Sequence, residues 1–269
     1  MKTITKKEFD LLTDYIIKKW GISLDDSKIS LMEYRLGAVV EKFQLRDYEH
    51  LYQKAQTDPA VATAIISAIS TNETFFFRDE KIFDMIKGKI IPEVLSNSNA
   101  LNIWSAACSY GQEVYTLAIM LKELRIDPRK YKVQITGTDI KDEAIAYASH
   151  GIYTEMEVNR GLSQTRKFQN FTPHGNDYKV NDDLRVYTYF QKLNLMHPIP
   201  SRMRFDLVLC RNVAIYFNME TKRQLFERIA NAMTPKGILL VGSSEMLFDV
   251  TERFDRKEHS RIIYYQLKS

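Results

Sequence analysis

Five short segments carry residue types that could do chemistry: TNETFFFRDE (71–80), SAACSYGQE (105–113), TDI (138–140), LNL (193–195) and CRN (210–212). Asp139 ends the apolar run VQITGTDI (133–140). In a nucleoside-binding α/β fold, a carboxylate at that place takes the ribose hydroxyls. Its charge strengthens both hydrogen bonds relative to a neutral acceptor. The same acid could equally cap the helix that follows, and the residues alone leave both roles open. In SAACSYGQE the small residues Ser105 to Ser109 let a ligand approach the backbone, but Gly111 is the only glycine. Neither a GxGxxG fingerprint nor a P-loop lysine is present, and such a turn also serves plain strand-to-helix packing. Asn72, Thr74 and Arg78 surround three phenylalanines. By composition that segment reads as glue between two domains, its polar residues capping a helix.

The cysteines and histidines point away from metal or thiol chemistry. Cys108 and Cys210 are too far apart for a ligand pair and too few for a disulfide framework. His50, His150, His174, His197 and His259 are scattered without a ligand pattern, which gives a metal-free expectation. Both cysteines fall at strand ends, where small buried thiols are common.

The elements that must hold these segments follow from periodicity. Up to about residue 80 the chain reads as helices only. Phe9, Leu12, Ile16 and Ile17 form a helical stripe that Gly21 stops, and Ser27 is placed to cap a second helix running to about Phe43. Asp47 is placed to cap a third, and Asp58-Pro59 to open a fourth. From about Ile91 strands and helices alternate: LNIWSAA (101–107), VQITGTDI, VYTYFQKL (186–193), FDLVLCRN (205–212), GILLVGSS (237–244) and RIIYYQL (261–267) read as strands. This pattern predicts a mostly parallel sheet with helices on both faces, ending in an antiparallel edge pair. The turn signals HGND (174–177) and NDD (181–183) predict a small antiparallel insert at about 168–189. The expected organisation is an all-helical domain, 1–80, then an α/β domain, 81–269. In open α/β sheets ligands bind beyond the carboxyl ends of the strands, and four of the five segments fall there.

Composition excludes several classes. Hydrophobic residues make up 45% and charged residues 27%, as in ordinary globular proteins. The net charge of +4 divides into −2 for residues 1–80, from 11 basic and 13 acidic side chains, and +6 for the rest. That is too diffuse for a nucleic-acid partner. MKTITKKEFD has no apolar signal core, and no run approaches a membrane span. A cytoplasmic protein without membrane insertion is the expectation.

Taken together, TNETFFFRD, WSAACSYGQEVYTLAI, TDI, GIY (151–153), LNL, FDLVLCRNVAIYF and GSSEML resemble, in order and spacing, the CheR family of chemotaxis receptor methyltransferases. The resemblance covers nearly the whole chain, including WGISL and RL near the N-terminus. It implies a Rossmann-like S-adenosylmethionine-dependent methyltransferase domain after an all-α domain, with a cofactor site built from both. Asn72, Thr74 and Arg78 are then cofactor ligands, and Glu113 holds the methionine end. Asp139 takes the ribose, and Asn194 and Leu195 border the adenine. Arg211 and Asn212 match the RN after the fourth strand, and Tyr216 the tyrosine near the transferred methyl. Two departures stand out. The family's GEEPYS reads GQEVYT here, and its GHSE reads GSSE, with Ser243 in place of histidine.

The resemblance also implies a substrate, glutamate side chains in the cytoplasmic domain of a methyl-accepting chemotaxis receptor. A glutamate carboxylate, with a pKa of about 4.3, is already a nucleophile at neutral pH. Its attack on a sulfonium neutralises charge and is favoured in a dry site. Arg78 and Tyr216 are the candidates for contact with the reacting groups. A module that binds the cofactor without transferring methyl, and a methyltransferase with another substrate, remain as alternatives. Lys28, Arg35 and Lys42, seven residues apart, would line one edge of the second helix as a track for an acidic receptor helix, or form an ordinary solvated edge. Family members that grip a receptor's C-terminal peptide carry a glycine-rich loop in the insert. Here only Gly175 is found, so independence of such a peptide is expected.

Overall fold

A computed structural model describes residues 3–268 of the chain. Contacts sort the chain into two units, Met1–Asn72 with Ile215–Lys222, and Glu73–Ala214 with Arg223–Ser269.

The first unit is built on helices α1 (Lys6–Trp20), α2 (Ile29–Lys42), α3 (Tyr48–Thr57) and α4 (Pro59–Ile69). Each is delimited by local chemistry. Thr5 and Glu8 form a reciprocal capping box on α1, and Gly21 ends it in the left-handed region at φ 78°. Asp47 and Asp58 cap α3 and α4 as expected, accepting from the backbone N–H of His50 and Ala60. At α2 the expectation fails. Ser27 caps nothing; its backbone N–H and hydroxyl both donate to Asp25. The carboxylate two residues earlier is the stronger acceptor, so the chain enters α2 through a 3-10 turn, Asp26–Lys28. The buried faces meet through Phe9, Leu12, Ile16, Met32, Leu36, Leu51, Val61 and Ile65. The segment 215–222 joins this unit by a two-residue antiparallel bridge between Ile22 and Phe217, and by a 2.8 Å hydrogen bond from the Ser23 N–H to the Tyr216 carbonyl.

The second unit opens with a helical run that the sequence reading passes over: α5 (Glu80–Met85), a π-turn (Ile86–Ile90) and α6 (Ile91–Asn97). Then follow β1 (Ala100–Ala106), α7 (Gln112–Glu123), β2 (Lys132–Asp139) and α8 (Asp142–His150). The inserted segment holds β3 (Ile152–Thr154), α9 (Glu155–Asn159), α10 (Gln164–Asn170), β4 (Phe171–His174), β5 (Asp177–Val180) and α11 (Asp182–Arg185). The chain finishes with β6 (Thr188–Lys192), β7 (Phe205–Cys210), α12 (Met219–Asn231), β8 (Met233–Val241), β9 (Phe254–His259) and β10 (Ile262–Leu267).

Seven strands form one sheet in the order β6-β2-β1-β7-β8-β10-β9, and β3-β5-β4 form a second, antiparallel sheet. The first five strands of the large sheet pair in parallel, and β10 and β9 add antiparallel at its edge. This is the mostly parallel sheet with an antiparallel edge that the alternation predicts, and the Rossmann-like arrangement that the resemblance implies. The edge holds one strand more than expected, because β9 reads FDRKEH and buries only Phe254. Charged edge strands carry no apolar alternation and resist pairing with other chains. The small sheet also draws in β3. Val186, expected to open a strand, instead closes the turn after α11 and is exposed, so β6 begins at Thr188.

Strand order reverses between β1 and β7. From β1 the chain crosses to β2, and from β7 it crosses the other way to β8. The crevice at a sheet's ligand-binding end therefore opens just beyond Ala106 and Cys210.

Candidate active site

Beyond β1, the turn Ala107–Gly111 takes left-handed φ values at Ala107 (61°), Ser109 (52°) and Gly111 (91°). Ala107 and Ser109, the two that are not glycine, concentrate backbone strain, which the surroundings must hold. Several bonds do so. The Cys108 N–H donates to the Thr138 carbonyl at 2.8 Å, and the Ser109 N–H to Asp139 Oδ2 at 2.9 Å. The Tyr153 hydroxyl donates to the Tyr110 carbonyl at 2.7 Å. Gly111 is required twice over, since a Cβ there would also stand 2.7 Å from that of Ala148.

Asp139 is 6% exposed, and it does not cap α8, whose N-cap position Lys141 carries no side-chain cap bond. Its Oδ1 accepts the Lys141 N–H at 3.0 Å just before α8, while Oδ2 accepts from Ser109. An ionised carboxylate has about four acceptor directions, so these bonds leave room for a hydroxyl. Burial pushes its pKa up, and the backbone N–H groups of Lys141, Ser109 and Ile140, together with the Lys141 charge, pull it partly back. The β2 end is tied to the next loop as well, because the Leu193 N–H donates to the Asp139 carbonyl at 2.9 Å. Asn194 and Leu195 are thereby placed beside it, with Asn194 Oδ1 accepting the Met196 N–H at 3.0 Å.

Across the crevice, Arg211 follows β7 with its side chain 2% exposed. It donates to Glu113 Oε2 at 2.7 Å, to the Arg78 carbonyl at 2.9 Å and to the Asp79 carboxylate. The other oxygen of Glu113 accepts the Ser105 hydroxyl at 2.8 Å. One guanidinium thus joins the residue after β7, the first turn of α7 and the segment TNETFFFRD. The Arg211 Nε is a buried donor with no protein partner among the described residues, an opening for a polar ligand atom. The sequence reading gives Glu113 and Arg211 to a ligand; the structure shows that they also bind each other.

Two of the three phenylalanines of TNETFFFRD, Phe76 and Phe77, belong to the core of the second unit, while Phe75 is half-buried. Phe76 is fully buried and meets Tyr153 and Phe171 edge-to-face, and the Phe77 N–H donates to Thr116 at 3.0 Å. Thr74 is half-buried, and the half-buried Arg78 donates to the Glu73 carbonyl at 2.7 Å. Asn72 closes the first unit. Tyr216 is 40% exposed in the 3-10 turn Ala214–Tyr216 and is grouped with the first unit.

The structure spreads the cationic stripe over unequal settings. Lys28 precedes α2 and is exposed, and the Lys42 ammonium lies 5.7 Å from the Phe43 ring centroid. The Arg35 guanidinium donates to the Ile69 carbonyl at 2.6 Å and faces the Thr71 hydroxyl, so it holds the end of α4.

Sequence reasoning missed Glu245, whose Oε2 accepts from the backbone N–H of both Asn212 and Gly242 at 2.7 Å. It also missed Asp79, whose partner lies 132 residues away. Cys108 and Cys210 are buried, and burial raises both thiols well above the usual range. The native protein is expected to react with a thiol reagent at pH 8 at least ~100-fold more slowly than the unfolded chain, which exposes both thiols. A fast single-thiol reaction of the folded protein would restore a cysteine to the candidate chemistry. Among the described residues no His, Cys, Asp and Glu cluster could hold a metal ion, and no helix is long and apolar enough to cross a membrane.

Comparison with known proteins covers both units. Residues 7–70 match the family description "CheR methyltransferase, all-alpha domain", and residues 72–263 match "CheR methyltransferase, SAM binding domain". A chemotaxis protein methyltransferase of Vibrio parahaemolyticus is 35% identical, covering 99% of this chain and 98% of its own. Chemotaxis protein methyltransferase 1 of Pseudomonas aeruginosa is 34% identical, covering 97% and 98%. Among solved structures, the N-methyltransferase NodS of Bradyrhizobium japonicum with S-adenosyl-L-homocysteine aligns at 14% identity and a TM-score of 0.43, covering 82% of this chain and 98% of that one. The second unit is thus an S-adenosylmethionine-binding domain. Matched in both of its domains and by relatives along nearly its full length, the chain belongs to the CheR methyltransferase family.

Proposed function

We propose that this protein methylates glutamate side chains in the cytoplasmic domain of a chemotaxis receptor, forming γ-methyl esters. The observation that carries this reading is the end-to-end likeness to proteins named chemotaxis protein methyltransferase. Bound S-adenosylmethionine supplies an electrophilic methyl group on a sulfonium.

The chain's own residues have distinct tasks. Asp139 accepts the ribose hydroxyls with the acceptor capacity its backbone bonds leave free. Asn194 and Leu195 border the adenine, the latter as a buried apolar side chain. Glu113, held rigid by Ser105 and Arg211, meets the amino end of the methionine moiety, and the Arg211 Nε faces its carboxylate end. Thr74 and Asn212 complete the polar contacts. Arg78 orients the incoming carboxylate and moves no proton, since a glutamate is already ionised at neutral pH. Catalysis then rests on alignment and on exclusion of water.

Incubation with radiolabelled S-adenosylmethionine and receptor cytoplasmic domain should place label in the receptor, released as volatile methanol by mild alkali. Tight cofactor binding with no transfer, or transfer of an alkali-stable methyl, would defeat this reading.

Asp139→Ala should weaken cofactor binding by at least ~1.5 kcal/mol, the scale of a lost charge-assisted hydrogen bond. The pH dependence follows from the raised pKa. A carboxyl with a raised folded-state pKa destabilises the folded apo-protein as pH rises through that pKa, and the cost disappears on acidification. Hydroxyl donors favour the ionised form, so cofactor affinity should fall as pH drops through the same range, and Asp139→Asn should flatten the profile. Calorimetry showing unchanged affinity in a folded Asp139→Ala protein would remove the residue from the site.

A further inference from the structure

The last turn before the chain's antiparallel edge holds a carboxylate with an unusual pair of partners. β7 and β8 run parallel with Cys210 beside Val241, so Asn212 and Gly242 both lie just past the crevice end of neighbouring strands. Asn212 sits in the left-handed region at φ 58°. Its N–H and that of Gly242 converge on one oxygen, Glu245 Oε2, each at 2.7 Å, and the Glu245 N–H returns to the Gly242 carbonyl at 2.9 Å. A charged acceptor makes both bonds stronger than a neutral one would. The arrangement needs a glycine at 242. A Cβ there would stand 2.6 Å from Glu245 Oε2, 2.8 Å from Asn212 Nδ2 and 3.0 Å from the Asn212 nitrogen.

We propose that Glu245 is a positioning residue for the cofactor site. Its carboxylate clamps the ends of β7 and β8 together, fixes the left-handed backbone of Asn212, and so aims the Asn212 side chain. The proposal rests on the reading above that Asn212 contacts S-adenosylmethionine. Asn212 follows Arg211 directly, so the clamp also fixes the backbone from which the guanidinium reaches Glu113. Gly242 and Glu245 work as a pair, one vacating the space that the other's oxygen fills.

The test is calorimetric titration of the full-length protein with S-adenosylhomocysteine, with denaturant midpoints and methyl-transfer kinetics on the same variants. Glu245→Ala and Gly242→Ala should each weaken binding about ten-fold, the equivalent of one lost charge-assisted hydrogen bond. The KM for S-adenosylmethionine should rise in step, with the KM for receptor unmoved. Glu245→Gln keeps a neutral acceptor in place and should bind within roughly three-fold of the wild type. A purely structural role predicts lower midpoints with wild-type affinity in the folded protein, and that result overturns the proposal. If Glu245→Ala does not fold, the comparison rests on Glu245→Gln and Gly242→Ala. Wild-type affinity in both then sinks the proposal. Failure of the wild type itself to bind would instead condemn the underlying cofactor reading, and the proposal with it.

Discussion

Arg211→Met should destabilise the protein by about 3–5 kcal/mol, the cost of removing one partner from a buried ion pair. The arginine is the hub of its cluster, with its side chain 2% exposed and Glu113 only 15% exposed. Deleting the guanidinium leaves the Glu113 carboxylate without its cation and the Arg78 carbonyl without a donor. Asp79, 39% exposed, can regain water and adds little. The methionine fills most of the vacated volume, which isolates the loss of charge from the loss of packing. Chemical denaturation should show a lower midpoint with an unchanged slope. Arg211→Lys keeps the charge without the planar fork and should recover part of the loss. The double variant Arg211→Met with Glu113→Gln should be more stable than Arg211→Met alone, because it no longer buries an unpaired carboxylate. Additive effects of the two single changes would mean that the pair contributes no coupling and that Arg211 acts mainly by packing.

The sheet was legible because its central strands are buried on both faces. IWSA, ITGT and LVLC are runs of apolar and small residues that water does not interrupt, and their spacing by helices dictates parallel pairing. The caps were legible where a single aspartate precedes a helix, as at Asp47 and Asp58, and misread where two acceptors compete, as at Asp25 and Ser27. What escaped the sequence is of another kind. β9 escaped because an edge strand has no buried face to write a pattern. The bond from Arg211 to Asp79 escaped because the sequence separation hides it, and Asp79 there looks like one more surface acid. Glu245 escaped because its role is to accept backbone N–H groups, which every residue but proline carries. TNETFFFRD was half-read. Phe76 and Phe77 are structural, but they anchor in the core of the α/β unit, so Thr74 and Arg78 are carried by the sheet's own framework.

That anchoring gives the second large expected effect. Gly161→Ala should cost roughly 3–5 kcal/mol, combining the left-handed backbone of an L-residue with overpacking that a backbone must yield to. Gly161 has φ 94°, and a Cβ there would lie 1.8 Å from the Phe76 carbonyl oxygen and 2.8 Å from its carbon. No side chain can swing away to relieve this contact, since the obstacle is main chain. Phe76 sits two residues from both Thr74 and Arg78, so any retreat of its backbone displaces the segment proposed to reach the cofactor and substrate. Folded Gly161→Ala protein should therefore also lose cofactor affinity. Gly175→Ala provides the control. Its φ of 63° is also left-handed, but nothing lies within 4 Å of the added carbon, so it should cost only the backbone term of about 1–2 kcal/mol and leave the cofactor site alone. The difference between the two midpoints then measures the close approach to Phe76, separately from backbone strain. Equal midpoints, with unchanged binding in both, would show that TNETFFFRD does not depend on Gly161 for its place.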